Sequence, residues 1–228
     1  MKRTVIGLAG VKTSGKSTAA DMVKKLVTGD ISESALAGKL KDVCAEVFGL
    51  TRDHFDNQDI KEVPFADGPK ILTADNIFDI LWNFNVHMEQ GEFTEKYSEV
   101  IGTELETPRK IAQIVGTEVL RATGDEDIHC KNMPMNESGI TIVSDLRFPN
   151  EFAYFHNNPD INFVPLYIQR DEAEAFVTED SHPSEKCVFE FSGKCNKINN
   201  NGDLEDLNTE IVSLLTQAGF IRDALNQA

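Results

Sequence analysis

TVIGLAGVKTSGKS, residues 4–17, is the stretch that decides the fold of this chain. Residues 10–17 fit the pattern G-x-x-x-x-G-K-[ST] without a mismatch. The apolar residues 4–9 predict a short buried strand, and residues 17–27 predict an amphipathic helix. Its apolar face is formed by four residues: Ala19, Met22, Val23 and Leu26. A strand, a glycine loop and a helix in this order predict a loop that binds a polyphosphate.

The residue types of this loop suit phosphate chemistry. Gly10 and Gly15 allow backbone angles that a Cβ would forbid, so successive N–H groups can turn toward an anion at the N-terminus of a helix. Lys16 is placed to reach the β- and γ-phosphates, and the Ser17 hydroxyl is placed to bind Mg²⁺. We therefore expect the loop to bind a polyphosphate together with Mg²⁺.

Composition narrows the class of protein. The chain has 38 acidic and 22 basic residues and a formal charge of −16, which argues against binding of nucleic acid or an acidic membrane. No apolar run is long enough to span a bilayer and no signal-peptide pattern precedes the first strand, so we expect a soluble cytoplasmic protein. The four cysteines lack C-x-x-C spacing, which predicts reduced thiols. His129 and Cys130 lack a second ligand pair, so structural residues are favoured there over a metal site.

Further strands and helices alternate along the chain. Strands are predicted near residues 33–37, 139–144, 162–168 and 194–198, and helices over 40–48, from Asp75, from Pro108 after a Thr107 cap, over 149–156 and from Asp203. Apolar residues at helical spacing support three of these helices: Ile77, Phe78, Leu81 and Phe84; Ile111, Ile114, Val115 and Val119; and Leu204, Leu207, Ile211, Leu214 and Leu215. Residues 50–68 are polar and irregular, and the charged residues 169–186 interrupt the alternation where a mobile flap could lie.

This order of elements predicts an α/β fold in a single domain, residues 1–228. A mostly parallel central sheet with helices on both faces is the arrangement that alternating strands and helices favour. Trp82 is assigned to packing rather than to function. The apolar helices of the middle segment are assigned to the core in preference to a dimer seam, and a homodimer stays open.

The remainder of the sequence helps to decide which class of phosphate-binding protein this chain belongs to, a GTPase or a small-molecule kinase. No D-x-x-G element occurs, and Asn196-Lys197-Ile198-Asn199 lacks the Asp that ends a base-reading N-K-x-D element, which argues against a GTPase. Small-molecule kinases need cations around an acceptor phosphate and a flap that excludes water. Four of the seven arginines lie at element ends or in loops, where a planar guanidinium can hold phosphate oxygens: Arg109, Arg121, Arg147 and Arg170.

Three further residues are candidates. Lys39 and Lys41 open the second helix, whose dipole favours an anion, and a solvated pair is an equal alternative. Asp145 ends an apolar strand, where carboxylates of parallel sheets meet ligands, and could hold Mg²⁺ through water while Arg147 bridges phosphates. The alternative for Asp145 is a strand-end residue that caps the next turn.

Six motifs occur in order along the chain: GVKTSGKST (10–18), LAGKLKD (36–42), RKIAQIVGTE (109–118), DLR (145–147) with Glu151, SHPSE (181–185) and NNGDLE (200–205). With them the chain resembles, over nearly its whole length, the bacteriophage deoxynucleoside-monophosphate kinases, a branch of the P-loop nucleoside-monophosphate kinase group. The first motif is generic, whereas the ordered set is specific. Residues 50–102 match least.

The resemblance implies a three-layer P-loop kinase fold with an inserted helical acceptor-binding region at about residues 50–125 and a lid at about residues 169–186. It implies an ATP site formed by Gly10, Ser14, Gly15, Lys16, Ser17, Thr18, Asn201 and Gly202, with Mg²⁺ at Ser17 and, directly or through water, at Asp145. It implies an acceptor site formed by Lys12, Leu40, Lys41, Arg109, Gln113, Gly116, Thr117 and Glu151. The implied catalytic residues are Lys16, Asp145, Arg147 and Arg170, and the lid would include Arg170 and residues His182 to Glu185.

The predicted reaction is in-line transfer of the γ-phosphoryl group of ATP to the 5′-phosphate of a deoxynucleoside monophosphate. The expected partners are ATP and the monophosphate, with no nucleic acid polymer and no membrane, in the host cytoplasm if the protein is phage-encoded. A P-loop kinase for another small acceptor, such as phosphomevalonate or dephospho-coenzyme A, and a non-catalytic ATP-sensing module stay open. The accepted bases and any preference for deoxyribose stay open too.

Overall fold

The computed structural model describes residues 2–181 and 183–221, and five strands of this part of the chain form a parallel central sheet. The strands, in chain order, are β1 (Arg3–Ala9), β2 (Ile31–Ser34), β3 (Lys70–Ile71), β4 (Glu104–Leu105), β5 (Ile140–Leu146), β6 (Ile161–Gln169) and β7 (Asn196–Asn199). The order across the central sheet is β2-β5-β1-β6-β7, with parallel pairing throughout. β3 and β4 form a separate antiparallel pair.

Helices connect the strands, as the alternation predicts. They are α1 (Lys16–Leu26), α2 (Gly38–Val47), α3 (Arg52–Asp56), α4 (Ala74–Asn83), α5 (Gln90–Tyr97), α6 (Pro108–Ile114), α7 (Ile128–Lys131), α8 (Pro149–His156), α9 (Asp171–Glu174), α10 (Pro183–Lys186), α11 (Val188–Ser192) and α12 (Leu204–Gln217). A π-helix, Val115–Leu120, and a 3₁₀ turn, Arg121–Thr123, follow α6. The described residues of 1–35 and 134–228 form one compact unit, and residues 36–133 form a second. The insertion predicted at about 50–125 lies within the second unit.

In the first unit the central sheet is covered on both faces. Ile6 of β1 belongs to a buried cluster with Val23 of α1 and Ile211 of α12. Elsewhere in this unit Phe163 of β6 packs against Phe155 of α8, with ring centroids 5.4 Å apart. The strands of a parallel sheet carry apolar side chains on both faces, so helices must cover each face to keep those side chains from water. The predicted α/β fold, with helices around a mostly parallel sheet, is therefore confirmed.

Local caps decide where two of the predicted helices begin. Thr107 Oγ1 accepts a hydrogen bond from Lys110 N at 3.1 Å, and a proline follows at the first helical position. Asp203 Oδ1 accepts a hydrogen bond from Glu205 N at 2.8 Å. Each oxygen satisfies an N–H group that the first turn of a helix leaves without an intrahelical partner. The predicted starts at Thr107 and Asp203 are confirmed.

Two predicted boundaries are wrong. Thr73, not Asp75, caps α4, because Thr73 Oγ1 accepts from Asn76 N at 3.1 Å while Asn76 Oδ1 accepts from Thr73 N at 3.0 Å. The second strand is Ile31–Ser34 rather than residues 33–37, since its pairing with β5 already begins at Ile31.

Three apolar residues that were expected to pack are exposed. Phe78 and Trp82 of α4 expose 59% and 64% of their surface, and Leu204 exposes 64%. Ile77 and Leu81 of the same helix are buried, so the buried stripe of α4 is narrower than the apolar pattern predicts. Trp82 contacts the His87 ring edge-on, with centroids 5.3 Å apart.

The second unit has a core of its own around α4, α5, α6 and the π-helix. Tyr97 is buried in it and donates its hydroxyl hydrogen to Val119 O at 3.0 Å. Burial, followed by the charge of Glu92, raises the pKa of Tyr97 to about 12, so the hydroxyl keeps its proton and the bond at neutral pH. This bond ties α5 to the π-helix.

No helix in residues 2–181 and 183–221 is long and apolar enough to cross a membrane. None of the four cysteines forms a disulfide within the described residues, in agreement with the absence of C-x-x-C spacing. Within the described residues no group of three or more His, Cys, Asp or Glu side chains could hold a metal ion. His129 and Cys130 are both buried, which fits the structural interpretation of this pair.

Candidate phosphate-binding site

The glycine loop, residues 10–17, leads from β1 into α1 through an unusual backbone. Gly10, Thr13 and Gly15 have φ values of 149°, 63° and 100°. Glycine adopts such angles readily, whereas a left-handed conformation costs a residue such as Thr13 about 1–3 kcal/mol and persists only where the surroundings enforce it. Alternation of right- and left-handed backbone is the conformation that forms anion-binding concavities. The loop therefore has the backbone that a phosphate cradle requires.

Close packing explains why both motif glycines are needed. A Cβ at Gly10 would lie 2.6 Å from Ser14 Oγ and 2.8 Å from Ile168 O. A Cβ at Gly15 would collide with the side-chain amide of Asn200. That amide donates a hydrogen bond to Ser14 O at 2.8 Å and so holds the loop from the end of β7.

The beginning of α1 presents unsatisfied polar groups. Its N-cap, Gly15, makes no side-chain hydrogen bond, and its first turn contains no acidic residue. Ser14 Oγ is fully buried and has no hydrogen-bond partner within the described part of the chain. A buried polar atom without a partner costs about 1–3 kcal/mol. A phosphate oxygen at this helix end would satisfy it together with the first N–H groups of α1.

Lys16 is folded back onto the loop. Its Nζ donates hydrogen bonds to Gly10 O at 2.7 Å and to Val11 O at 2.6 Å. Burial and then the charge of Arg147 lower its pKa to about 8, against the opposing charges of Glu185 and Asp145. The ammonium is thus a partly desolvated cation, and the attraction between such a cation and an anion is stronger than in water.

The carboxylate of Glu185 lies beside the loop. Glu185 Oε2 accepts a hydrogen bond from Lys12 N at 2.5 Å, and Glu185 Oε1 accepts one from Arg147 Nη1 at 3.1 Å. The Glu185 side chain is only 13% exposed. A loop N–H group and a guanidinium, two donors that hold phosphate oxygens in proteins, therefore converge on one anionic group.

The carboxylate of Glu151 holds the backbone of Arg147 in place. Glu151 is buried, and its Oε2 accepts hydrogen bonds from Arg147 N at 2.9 Å and from Phe148 N at 3.0 Å. Arg147 Nη1 also donates to Ser184 Oγ at 3.3 Å. These contacts make Glu151 a support of the turn that carries Arg147, while its expected contact with the acceptor stays a prediction.

Ser17 and Asp145 are the residues to test as an Mg²⁺ site, and Thr18 is predicted to bind ATP. Ser17 and Thr18 are exposed in the first turn of α1, and Asp145 is half-buried in β5 near enough for its charge to raise the pKa of Lys16. Mg²⁺ prefers oxygen ligands and usually binds through one or two protein oxygens plus substrate phosphates rather than in an all-protein cage. The Ser17 hydroxyl, which follows Lys16 in the sequence, and the Asp145 carboxylate, whose charge acts on Lys16 in the structure, therefore fit this ion in ligand chemistry and number.

Arg170 and Asn201 follow β6 and β7. Arg170 Nη2 donates to Glu172 Oε2 at 3.2 Å, and Asn201 Oδ1 accepts from Asp171 N at 2.9 Å. A cavity of about 200 Å³ lies here, lined by Thr13, Arg170, Glu172, Ala173 and Phe176. Gly202 is exposed next to Asn201, before α12. The catalytic role expected for Arg170 stays a prediction, and His182 lies outside the described residues.

The remaining predicted acceptor residues belong to the second unit. Lys41 Nζ lies 2.7 Å from Asp56 Oδ1, and Arg52 Nε donates to the other oxygen of Asp56 at 2.7 Å. Burial opposes ionisation of Asp56, but the hydrogen bonds and charges of Lys41 and Arg52 hold its pKa below the ordinary value. Lys39 Nζ donates to Asn132 Oδ1 at 2.8 Å. Both lysines are therefore tied to side chains of their own unit rather than fully solvated.

Arg109 is similarly paired at the start of α6. Its Nη1 donates to Glu62 Oε1 at 2.8 Å, and its backbone N donates to Lys61 O at 2.9 Å. The Arg109 side chain is 32% exposed, which leaves it accessible to a ligand that could replace the Glu62 carboxylate.

Gln113, Gly116 and Thr117 lie at the junction of α6 and the π-helix. Thr117 Oγ1 donates to Gln113 O at 2.7 Å, and a Cβ at Gly116 would lie 3.1 Å from Leu40 Cδ2. Leu40 is buried in the core of the unit. π-Helical turns are rare and occur often at functional sites, so this junction is a reasonable place for ligand contacts.

Two residues of the first unit have contacts that the motifs alone did not indicate. Asn200 and Glu185 stand in the matched motifs, but no individual role was predicted for Asn200, and Glu185 was assigned only to the lid. Asn200 could have been singled out because it follows a parallel strand at its carboxyl end, where such sheets bind ligands. No local signal points to the Glu185 contact, since 173 residues separate Glu185 from Lys12.

No protein-family model matches the chain. A relative from Acanthamoeba polyphaga mimivirus, provisionally named a deoxynucleotide monophosphate kinase, is 27% identical over 94% of this chain and 97% of its own length. This similarity supports a kinase-like function. The relative comes from a giant virus, so the bacteriophage part of the resemblance stays a prediction.

A second relative, from Bacillus subtilis, is a 3-oxo-glucose-6-phosphate:glutamate aminotransferase. It is 30% identical over 74% of this chain, but the chain spans only 42% of that protein's length. The two relatives are named for different reactions. A phosphorylated substrate is the feature that both names share.

Proposed function

We propose that this protein transfers the γ-phosphoryl group of ATP to the 5′-phosphate of a deoxynucleoside monophosphate. The bond between the γ-phosphorus and the β-γ bridging oxygen breaks, and a bond from an acceptor phosphate oxygen to that phosphorus forms, so that ADP leaves and a deoxynucleoside diphosphate is produced. The full-length similarity to a provisionally named deoxynucleotide monophosphate kinase supports this choice of acceptor.

The observation that carries the proposal is the position of the Glu185 carboxylate. It accepts hydrogen bonds from Lys12 N and from Arg147 Nη1 beside the glycine loop. A group with two oxygens and a negative charge is thus bound by the donors that phosphate would need. Neither an ordinary helix cap nor a glycine turn requires a guanidinium at this position.

The residues of the first unit supply charge neutralisation rather than proton transfer. In the proposed reaction Lys16 and Arg147 stabilise the negative charge of the transferring group, and the Gly10–Ser17 backbone orients the phosphates. Ser17 and Asp145 are the residues that would hold Mg²⁺, which when bound would neutralise further charge on the phosphate oxygens. The acceptor is already an anion, so no strong general base is needed.

In the second unit, Lys41 and Arg109 are the proposed cations for the acceptor phosphate. Both are now paired with carboxylates, Asp56 and Glu62. Exposed pairs of this kind contribute about 0–1 kcal/mol each, so a phosphate with two charges can displace the carboxylates at small cost. Gln113 is proposed to contact the base.

The reaction is tested directly by chromatography of mixtures of ATP, Mg²⁺ and one nucleoside monophosphate at a time. We expect ADP and a deoxynucleoside diphosphate in equal amounts with at least one deoxynucleotide. Phosphorylation of phosphomevalonate or dephospho-coenzyme A alone would move the proposal to another acceptor. Slow ATP hydrolysis without any diphosphate product would contradict kinase activity and favour an ATP-sensing module.

The rate should fall at alkaline pH. In the ligand-free protein Lys16 has a pKa lowered to about 8, so it is charged below this pH and loses its charge as the pH rises through it. We expect kcat/KM for ATP to decline by about tenfold per pH unit above this value.

The control for the alkaline decline is Lys16→Arg, because arginine keeps its charge up to a pH of about 12. Its residual activity should show no decline near pH 8. A wild-type profile that stays flat to pH 10, with circular dichroism showing an intact fold, contradicts the role of the Lys16 charge.

Arg109→Met should weaken use of the acceptor. We expect the KM for the deoxynucleoside monophosphate to rise by about 10- to 100-fold, since a charged hydrogen bond to phosphate contributes about 1.5–3 kcal/mol. The KM for ATP should change less than threefold. Steady-state kinetics with each substrate varied in turn measures both constants.

Lys96→Met is the matched control for Arg109→Met. Lys96 forms an exposed pair with Glu92 in the same unit, with atoms 3.4 Å apart, and no acceptor role is proposed for it. Equal effects of the two substitutions, or a larger rise in the KM for ATP than for the acceptor, would remove Arg109 from the acceptor site.

A further inference from the structure

The contact between Glu185 and the glycine loop joins distant parts of the first unit. Glu185 lies in α10, within the segment predicted to form a lid, and its carboxylate binds Lys12 N and Arg147 Nη1 at 2.5 and 3.1 Å. Its charge also raises the pKa of Lys16 against the effects of burial and Arg147. One carboxylate, which is 13% exposed, therefore binds the N–H of Lys12 and the guanidinium of Arg147 and interacts electrostatically with Lys16.

A carboxylate and a phosphate cannot share this position. Both are anions, and like charges held in contact at a protein surface cost several kcal/mol. A phosphate that uses Lys12 N and Arg147 must therefore displace Glu185, and its net binding energy is reduced by the contacts that Glu185 loses. An anion with many charges can offset this loss more readily than one with few.

We propose that Glu185 sets the affinity threshold of the phosphate site: its carboxylate competes with incoming anions, so polyphosphates bind, whereas singly or doubly charged ions, whose contacts do not offset the displacement of Glu185, bind only weakly. The identity of the natural polyphosphate as ATP rests on the proposed function. The competition itself rests on the contacts within the first unit alone.

A different role for Glu185 predicts the opposite sign. If the carboxylate stays in place and orients Arg147 for the ligand, its removal weakens anion binding. If it is displaced, its removal strengthens anion binding. The direction of the change in affinity therefore separates a competitor from a positioning residue.

The test is calorimetric binding of inorganic tripolyphosphate and of sulfate at pH 7, where Lys16 is mostly charged. Glu185→Gln keeps the shape of the side chain and removes its charge. We expect this variant to bind tripolyphosphate and sulfate each roughly tenfold more tightly than the wild type, because every anion that takes the place of the carboxylate is relieved of the same displacement cost. Glu185→Ala should change both affinities in the same direction.

Glu190→Gln is the matched control, because Glu190 is an exposed carboxylate on the adjacent helix α11. Its affinities should stay within twofold of the wild type. Unchanged or weaker binding of tripolyphosphate by folded Glu185→Gln overturns the inference. If the variants do not fold, hydrogen exchange of the wild type decides: tripolyphosphate should increase exchange in residues 184–187 and decrease it in residues 11–17, and protection of both segments overturns the inference.

The two proposals fail separately. Absence of a diphosphate product with every acceptor removes the proposed function but leaves the tripolyphosphate measurements interpretable. Formation of a deoxynucleoside diphosphate together with unchanged anion affinity in Glu185→Gln removes only the role of Glu185.

Discussion

Replacing Lys16 by methionine should lower the turnover of phosphoryl transfer by about 10²- to 10³-fold, the usual loss when one charge-stabilising donor is removed from a reaction site. Methionine matches the length of lysine but carries no charge. Lys16 reaches the carbonyl oxygens of Gly10 and Val11, within the loop proposed to hold the transferring phosphate. Single-turnover measurements with saturating ATP and acceptor report the chemical step directly.

The Lys16→Met protein should be folded. Burial lowers the pKa of Lys16 to about 8, so the folded protein disfavours the charged form, and removal of the charge offsets the loss of the hydrogen bonds to Gly10 O and Val11 O. The control is Lys25→Met, an exposed lysine near the end of the same helix, which should keep wild-type turnover. A Lys16→Met protein with more than a tenth of wild-type turnover would contradict the proposed role.

Gly15→Ala should lower both the stability of the protein and its affinity for a polyphosphate. Alanine at a φ of 100° is strained by about 1–2 kcal/mol. Its Cβ would also push the Asn200 amide away from Ser14 O, a hydrogen bond of 2.8 Å that contributes about 1 kcal/mol. We expect a loss of about 2–3 kcal/mol in the free energy of unfolding and a fall in tripolyphosphate affinity of about tenfold or more.

Gly29→Ala is the control that separates the effect of backbone strain from the effect of the clash with Asn200. Gly29 has a φ of 128°, and a Cβ there would meet no atom within 4 Å. Its substitution should therefore cost the strain alone, about 1–2 kcal/mol, and leave anion binding unchanged. Urea unfolding and calorimetry measure the two quantities. Equal effects of Gly15→Ala and Gly29→Ala on anion affinity would show that the Asn200 contact does not matter.

Local features of the chain were predictable wherever neighbouring residues decide the structure. The glycine loop, the start of α6 at Thr107 and that of α12 at Asp203 depend on residues a few positions apart, so their side chains or backbone angles act on the same turn. Prediction failed where burial depends on distant partners. Phe78 satisfies helical spacing as well as Ile77 does, yet only Ile77 is buried.

The part of the candidate site that is formed by consecutive residues was predictable, and the contacts between distant residues were not. Lys16 and its loop were recognisable because the motif places every needed atom within eight consecutive residues. Arg147 was a candidate from its position after an apolar strand, whereas the assignment of Glu151 depended on a resemblance. Only the structure shows that Glu151 supports the backbone of Arg147. Asn200 could be singled out from its position after a strand, but its hydrogen bond to Ser14 O is seen only in the structure.

The sequence by itself determined an α/β fold and a glycine loop between its first strand and helix, because strand and helix periodicity and glycine backbone freedom act over short distances along the chain. The tertiary structure decided what surrounds that loop. In the central sheet β5 lies between β2 and β1, and Arg147 follows β5 on the side of the loop. The Glu185 carboxylate accepts a hydrogen bond from Lys12 N, although 173 residues separate the two in the sequence. Contacts of this length depend on how whole elements pack, and no local pattern encodes them.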